Sequence, residues 1–196
     1  MKVIGITGSF GTGKTFVASI IKRSFGAKVL NADEIAHEVI RKGTPAYKKI
    51  VALFGEEVLD NGRNIMRKRL ADIAFRNKES VGRLNRIVHP EVISCIKRAI
   101  RKAGKKEVIV IDAPLLVEAN LTGMVDKLIV VKANRQAQLK RCTKKFCIKE
   151  RKVLDRIENQ MPLAKKIKLA DFVVDNNGTK SETRKQVKEI WRKIWK

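Results

Sequence analysis

A glycine-rich segment near the start of the chain fits the phosphate-loop pattern G-x-x-x-x-G-K-[ST]. Its residues are Gly8, Ser9, Phe10, Gly11, Thr12, Gly13, Lys14 and Thr15. The apolar run at residues 3–6 predicts a strand before the segment, and residues 15–21 predict a helix after it. A glycine-rich loop in this position can turn backbone N–H groups and the positive end of a helix dipole toward a phosphate. We therefore predict a strand–loop–helix unit that binds a nucleoside triphosphate.

Lys14 and Thr15 are the residues of this segment that add side-chain chemistry to the backbone. The lysine of the pattern reaches the β- and γ-phosphates, and the hydroxyl that follows it ligates Mg²⁺. The alternative is a glycine-rich turn that only joins a strand to a helix. Such a turn requires neither side chain, so the pattern favours a nucleotide site with Mg²⁺.

The length and composition of the chain are typical of one globular domain. With 196 residues, of which 44% are hydrophobic, the chain can form a core and still include an inserted subdomain. The sequence contains no run of about 18 apolar residues that could span a bilayer, and the N-terminus lacks the charged and apolar regions of a signal peptide. We expect a cytoplasmic enzyme.

The net charge of +24 is the most unusual global property of the sequence. The Lys and Arg residues are spread along predicted helices rather than grouped in one block, which favours a solvated surface. Nonspecific affinity for nucleic acid can follow from this charge without being the function.

The three cysteines contain no C-x-x-C pair. The sequence therefore indicates neither a disulfide framework nor a zinc site. We expect Cys95 to lie in a core, and Cys142 and Cys147 to be exposed beside a lysine-rich segment.

A second predicted strand, at residues 27–30, leads into Asn31, Ala32 and Asp33. Ligands of open α/β sheets bind at the carboxyl ends of strands, so Asp33 is a candidate for the ligand site. A carboxylate there can accept the proton of an acceptor hydroxyl while the γ-phosphoryl group is transferred. The alternative is that Asp33 caps the helix that follows, and the two roles are compatible.

Residues 43–104 are mostly helical in pattern and lie between two predicted strands. Apolar residues recur every three or four positions, and about sixty residues exceed a single crossover helix. We therefore predict an inserted subdomain that binds the phosphoryl acceptor. His89-Pro90 lies inside it, where the proline should start or kink a helix. A lone histidine is more often structural than catalytic.

The segment 107–112 begins with Glu107, is apolar at residues 108–111 and ends in Asp112, which is typical of a central parallel strand buried on both faces. Asp112 has the place of a Walker B aspartate, which helps to hold Mg²⁺. Glu118 is a second acid near the same edge. Residues 127–131 and 171–175 predict two more strands, and residues 181–194 predict an amphipathic helix on the sheet.

Residues 134–160 predict a basic helical hairpin that Asn134 caps. Its cations include Arg141, Lys144, Lys145, Lys149, Arg151, Lys152 and Arg156. Such a hairpin can close over nucleotide phosphates as a mobile lid, stabilise charge and exclude water. The alternative is a solvated pair of helices.

Taken in order, these motifs resemble the dephospho-CoA kinase family along nearly the whole chain. The phosphate loop is shared by many NTPases. The Asp33 block, His89-Pro90 and the Pro-Leu-Leu-x-Glu block at residues 114–118 are more specific in this order. The resemblance implies ATP-dependent phosphorylation of the ribose 3′-hydroxyl of dephospho-CoA, which gives CoA and ADP in the last step of CoA biosynthesis.

The resemblance also implies the fold. We expect an α/β, three-layer P-loop kinase with a five-stranded parallel sheet flanked by helices, in a single domain of residues 1–196. Within it, residues 43–104 would be the helical acceptor-binding subdomain and residues 134–160 the lid.

Site residues follow from the same resemblance. Asp33 would be the base, with Lys14 and Arg141 as the other catalytic residues. The acceptor-binding residues would be Asp33, Arg67, His89, Pro114, Leu115 and Glu118. The nucleotide-binding residues would be those of the phosphate loop with Arg141, Asn176 and Gly178. Thr15 and Asp112 would bind Mg²⁺.

Two positions depart from the family pattern. Asn31 stands where the family usually has the first aspartate of Asp-Ala-Asp, which leaves Asp33 intact. Lys145 stands where a second lid arginine is expected, so the charge is kept but the planar guanidinium is lost.

Other functions are compatible with parts of the sequence. A small P-loop kinase for a nucleoside monophosphate or a small alcohol is one alternative, and a nucleic-acid-associated ATPase is another. The latter expects aromatic residues for stacking among the basic runs, yet aromatics are only 5% and are not interleaved there. The expected partners are ATP and dephospho-CoA, without a membrane, in a monomer or weak homo-oligomer.

Overall fold

The computed structural model describes residues 1–195 and contains a five-stranded parallel sheet. The strands are β1 (Lys2–Thr7), β2 (Lys28–Asn31), β3 (Val108–Asp112), β4 (Lys127–Lys132) and β5 (Phe172–Asp175). Their order is β2-β3-β1-β4-β5, so β1 lies in the centre with β3 and β4 as neighbours. The predicted α/β class and the five parallel strands are confirmed.

Nine α-helices are present in the described part of the chain. They are α1 (Lys14–Phe25), α2 (Ala32–Val39), α3 (Pro45–Phe54), α4 (Arg67–Ala74), α5 (Lys78–Arg101), α6 (Arg135–Phe146), α7 (Glu150–Glu158), α8 (Leu163–Lys168) and α9 (Lys180–Ile194). Short 3₁₀ turns lie at Glu56–Val58 and Thr122–Met124. None of the described helices is long and apolar enough to cross a membrane.

The chain divides into two compact units. The sheet unit comprises residues 1–30 and the chain from 103 onward, and the helical unit comprises residues 31–102. The helical unit thus includes α2 as well as α3, α4 and α5.

The sheet unit has a core of branched aliphatic residues between the sheet and two helices. Ile4 and Ile6 of β1 are fully buried in one cluster with Val17 of α1 and Val187 and Ile194 of α9. These residues recur at strand and helix spacing, as a parallel sheet covered by helices requires. The predicted inward face of the last helix is therefore confirmed.

Aromatic side chains extend this core. The rings of Phe25 and Trp191 are stacked with centroids 4.3 Å apart, and Trp195 lies next to Trp191. The first turn of α9 is fixed by a capping box between Thr179 and Glu182.

The helical unit is built around α5, which α2, α3 and α4 contact. The side chain of Thr44 caps α3 by accepting from the N–H of Tyr47, and the Tyr47 hydroxyl donates to the carbonyl of Arg63. Helix α5 runs through Pro90, so of the two expected effects of the proline, the start of a helix does not occur, and a kink stays a prediction. Proline lacks an N–H and removes one helical hydrogen bond, and a 24-residue helix retains the others.

The structure also departs from the sequence prediction at α8 and at two of the three cysteines. Helix α8 has no counterpart in the sequence prediction, since six residues are too few to show a period. Cys142 is buried rather than exposed, whereas Cys147 is exposed as expected and Cys95 is only half-buried. Cys142 lies one turn from the buried Gln138, on the inner face of α6.

Candidate active site

The phosphate loop leaves the carboxyl end of β1 and ends at the first turn of α1. Gly13 is the N-cap of α1 and has φ +94°. A Cβ at Gly13 would lie 2.1 Å from Nδ2 of Asn176. A Cβ at Gly11, where φ is +79°, would lie 2.6 Å from Sγ of Cys142. Glycine is required at both positions by the backbone conformation and by the close packing around the loop.

Lys14 is held inside this loop. Its side chain is 9% exposed, and its Nζ donates to the carbonyl oxygens of Gly8 (3.1 Å) and Ser9 (3.0 Å). The ammonium group thus lies within the loop that is predicted to surround phosphates. Thr15, the next residue, is exposed on the first turn of α1.

Asp112 is the last residue of β3 and is 3% exposed. It is in register with Ile6 of β1, one residue before the strand ends at Thr7. A carboxylate and the Thr15 hydroxyl are hard oxygen donors of the kind that Mg²⁺ prefers. The donor types therefore suit the predicted metal. Within residues 1–195 no group of three or more His, Cys, Asp or Glu side chains could hold a metal ion.

The turn after β5 supports the phosphate loop from the side. The Nδ2 of Asn176 donates to the carbonyl of Thr12 at 2.8 Å, and its Oδ1 accepts from the Thr183 hydroxyl at 2.9 Å. Asn176 is 6% exposed, so its amide is committed to these two bonds. Gly178 lies against Glu182, because a Cβ there would be 2.1 Å from a carboxylate oxygen. The predicted contact of this turn with the nucleotide stays a prediction.

Arg141 projects from α6 toward the phosphate loop. Its Nη2 donates to the carbonyl of Asn176 at 2.7 Å. Its Nη1 is buried and has no hydrogen-bond partner among the described residues, and it lies 4.0 Å from where a Cβ on Gly13 would be. A buried donor without a partner costs about 1–3 kcal/mol, and more when it is charged. An anion beside Gly13 would remove that cost.

The basic hairpin, α6 with α7, contacts the loop through aromatic rings. Phe10 stacks on Phe146 with centroids 5.4 Å apart, and the Arg156 guanidinium lies 5.1 Å from the Phe10 ring. Lys145 lies over the other ring, 5.2 Å from the Phe146 centroid. The hairpin is thereby attached to the tip of the loop.

Cys142 packs against the same loop. Burial raises the pKa of its thiol above the ordinary value, although Lys14 and neighbouring arginines act in the opposite direction. A protonated, buried thiol is a packing group rather than a nucleophile.

The Pro-Leu-Leu-x-Glu block follows β3 in the sheet unit. The carbonyl of Pro114 accepts from the Thr7 hydroxyl at 3.0 Å, immediately before the phosphate loop. Leu115 is exposed, and Glu118 forms an ion pair of 2.7 Å with the fully buried Lys166. Their predicted role in acceptor binding stays a prediction.

Asp33 lies in the first turn of α2, in the helical unit, and is exposed. Asn31 is the N-cap of this helix, since its Oδ1 accepts from the N–H groups of Asp33 (2.9 Å) and Glu34 (3.1 Å). The alternative that Asp33 caps the helix is therefore wrong. Asparagine caps as well as aspartate does, so the departure at residue 31 keeps the local structure.

Arg67 and His89 belong to the same unit. The Nη1 of Arg67 lies 2.8 Å from Nδ1 of His37. His37 is four residues after Asp33, so both lie on one face of α2, and Arg67 is held beside that face. His89 is half-buried on α5, and burial lowers its pKa.

Replacing His89 by glutamine is expected to make the stability less sensitive to acid. The folded state depresses the pKa of His89, so the unfolded chain binds the extra proton between that lowered value and the ordinary value of about 6.5. The contribution of neutral His89 to the free energy of unfolding is complete above a pH of about 6.5 and is lost as the pH falls through the folded pKa. The Tm difference between pH 7.5 and 5.5 should be smaller in the variant than in the wild type. An equal or larger difference would contradict this assignment.

Comparison with known proteins identifies the family. The family model described as dephospho-CoA kinase matches residues 2–182. The chain belongs to the dephospho-CoA kinase family. The dephospho-CoA kinase of Carboxydothermus hydrogenoformans is 39% identical over 198 residues, which cover 100% of this chain and 95% of that relative.

Solved structures agree with this family. A crystal structure of a Thermus thermophilus protein has a TM-score of 0.83 at 28% identity, covering 98% of this chain and 97% of the other. The structure of the dephospho-CoA kinase from Campylobacter jejuni has a TM-score of 0.65 at 25% identity, with the same coverage.

Some residues around the loop have no distinct signal in the sequence. Cys142 and Lys166 look like ordinary members of short helices, and their burial depends on what lies against them. The hydrogen bonds of Gln160 to Phe10 and Ser9 are likewise not encoded in any local spacing.

Proposed function

We propose that this chain transfers the γ-phosphoryl group of ATP to the ribose 3′-hydroxyl of dephospho-CoA and releases CoA and ADP, the last step of CoA biosynthesis. Membership in the dephospho-CoA kinase family supports this choice of substrates. The observation that carries the chemistry is the buried Nη1 of Arg141, which lies beside Gly13 of the phosphate loop and has no hydrogen-bond partner in the described part of the chain. This arrangement suits an anionic phosphate group.

The sheet unit supplies the nucleotide half of the proposal. The phosphate loop would bind the ATP phosphates, and Lys14 and Arg141 would stabilise charge on the transferred group. Thr15 and Asp112 would hold Mg²⁺, which neutralises phosphate charge when it is bound with ATP. Asn176 and Gly178 would lie on the adenine side.

The acceptor half rests on the other predicted residues. Asp33 would accept the proton of the ribose hydroxyl while the oxygen of that hydroxyl bonds to the γ-phosphorus. The bond from that phosphorus to the bridging oxygen breaks, and ADP leaves with the electron pair. The acceptor would contact Asp33 with Arg67, His89, Pro114, Leu115 and Glu118. The position of Arg67 beside the α2 face of Asp33 supports part of this set.

Two segments would have distinct tasks within one kinase domain. Residues 43–104 would bind dephospho-CoA, and residues 134–160 would close over the phosphates as a lid. The contact of Phe146 with Phe10 supports the assignment of the lid, since it attaches the hairpin to the loop. We further propose that the enzyme is cytoplasmic, acts as a monomer or weak homo-oligomer, and binds nucleic acid only nonspecifically.

The decisive experiment is a coupled assay of ATP consumption with the product identified by mass. Consumption should depend on dephospho-CoA and Mg²⁺, and the product should be CoA. Parallel reactions with nucleoside monophosphates, with a small alcohol such as shikimate and with RNA test the competing functions. Turnover that depends on one of these instead of dephospho-CoA would overturn the proposal.

Replacing Lys145 by arginine is expected to hold or raise kcat. Arginine keeps the positive charge and adds a planar fork that binds phosphate in two places. The lysine ammonium lies 5.2 Å from the Phe146 ring in the hairpin, and a guanidinium can also lie over an aromatic ring. Steady-state kinetics with saturating ATP measure the effect. A large fall in kcat would show that the lid is wrongly assigned.

A further inference from the structure

The segment that follows helix α7 is bonded to the phosphate loop by one side chain. The Oε1 of Gln160 accepts from the backbone N–H of Phe10 at 2.8 Å and from the Ser9 hydroxyl at 3.3 Å. Gln160 comes two residues after α7 ends at Glu158. The amide oxygen of Gln160 therefore joins the end of the basic hairpin to residues Ser9 and Phe10 of the loop.

The residue after Gln160 is fixed by a hydrogen bond of its own. The N–H of Met161 donates to Oε1 of Glu118 at 3.1 Å, and the same oxygen accepts from Nζ of Lys166 at 2.7 Å. Lys166 has no exposed surface, and its Nζ also donates to the carbonyl of Pro114 at 2.7 Å. That carbonyl accepts from Thr7, which directly precedes the loop.

These bonds form a closed circuit around the start of the phosphate loop. It runs from Thr7 through Pro114, Lys166 and Glu118 to the Gln160-Met161 pair, and returns to the loop at Phe10. A buried ion pair is seldom the most stabilising choice for a core, because desolvation offsets much of the attraction. The pair of Glu118 and Lys166 does hold its neighbours in place, however, because Glu118 also bonds the backbone N–H of Met161, next to Gln160.

The loop has another side-chain support, at Thr12, from Asn176. Asn176 is on the turn after β5, whereas Gln160 is the last residue of the hairpin segment 134–160, two residues after the end of α7. Gln160 therefore adds a hydrogen-bonded link between the hairpin and the first half of the loop to the ring contacts that Phe10 makes with Phe146 and Arg156. Phosphate binding by backbone N–H groups depends on the loop being held in one conformation before the ligand arrives.

We propose that Gln160 is a positioning residue of the nucleotide site, which holds the phosphate loop in its binding conformation and is itself anchored by Glu118 and Lys166. It acts through the backbone of Phe10 and through Ser9. This inference rests on the proposed binding of ATP at the loop.

The test replaces Gln160 by methionine, which has a similar shape but lacks a strong hydrogen-bond acceptor. The Kd of ATP, measured by calorimetry without acceptor, should rise about tenfold or more, as expected when the preorganisation of a binding loop is lost. The KM for ATP should rise in parallel, whereas the KM for the acceptor should stay within about twofold and the Tm should fall only slightly.

The matched control is Asp126→Leu. Its Oδ2 accepts from the backbone N–H of Val3 at 2.7 Å, which is a comparable bond at the start of β1 and away from the phosphate loop. This variant should lose stability without a change in the Kd of ATP.

The outcomes separate the inference from the function on which it rests. A wild-type chain that does not bind ATP contradicts the proposed function. A wild-type chain that binds ATP, with an unchanged Kd in the Gln160 variant, overturns only the inference. A raised Kd that appears equally in the Asp126 variant overturns it as well, because general destabilisation would then explain both.

Discussion

Replacing Lys14 by methionine is expected to lower kcat by about 10² to 10³, the usual cost of removing one group that stabilises a transition state. The ammonium group lies inside the phosphate loop and has two of its carbonyl oxygens as partners. In phosphoryl transfer the protein acts mainly by positioning groups and neutralising charge, so a neutral side chain removes a central contribution. Single-turnover measurements with saturating ATP separate this effect from weaker binding.

Lys22→Met is the matched control for this change. Lys22 lies in the last turn of the same helix, α1, and is exposed. The control removes one positive charge at the other end of the helix, and its kcat should be that of the wild type. Loss of activity in both variants, or a change of less than about threefold at Lys14, would contradict the assigned role.

Replacing Asp33 by asparagine is expected to keep ATP binding and to lower kcat at least about tenfold, because a general base typically contributes about 10²–10⁴ to the rate. Asparagine has nearly the same shape as aspartate but cannot take the proton from a ribose hydroxyl. The N-cap of α2 is Asn31, so the helix keeps its cap in the variant. A calorimetric ATP titration and the kcat measured with dephospho-CoA provide the two readouts.

The neighbouring residue offers a close control for Asp33. Glu34→Gln removes a negative charge from the same first turn of α2, where both carboxylates favour the helix dipole. Any general effect on the helix should therefore be similar in the two variants. We expect near-normal turnover from Glu34→Gln, and an unchanged kcat in the Asp33 variant would remove Asp33 from the role of base.

The sheet could be predicted because its signals are local. Residues 108–112 are an almost continuous apolar run that ends in an acid, and the spacing of glycine, lysine and threonine after β1 is typical of a phosphate loop between a strand and a helix. The inner face of α9 was also visible, since Val187, Ile190 and Ile194 recur at helical spacing and are buried.

The supports of the site could not be predicted in this way. Lys166 is fully buried because Glu118 and Pro114 lie against it, and these residues are about fifty positions earlier in the chain. Cys142 is buried because Gly11 packs on it. At Asn31 the cap could have been inferred from propensity, but aspartate at residue 33 offered an equally good candidate.

The placement of the aromatic side chains makes the two units optically distinguishable. The sequence has two tryptophans, Trp191 and Trp195, and one tyrosine, Tyr47. Both tryptophans are in the sheet unit, with Trp191 stacked on Phe25, whereas the tyrosine is in the helical unit. Tryptophan emission therefore reports on the unit that holds the phosphate loop, and the tyrosine signal reports on the unit that carries Asp33. Denaturation followed by the tryptophan signal and by the tyrosine signal can thus show whether the units unfold together or separately.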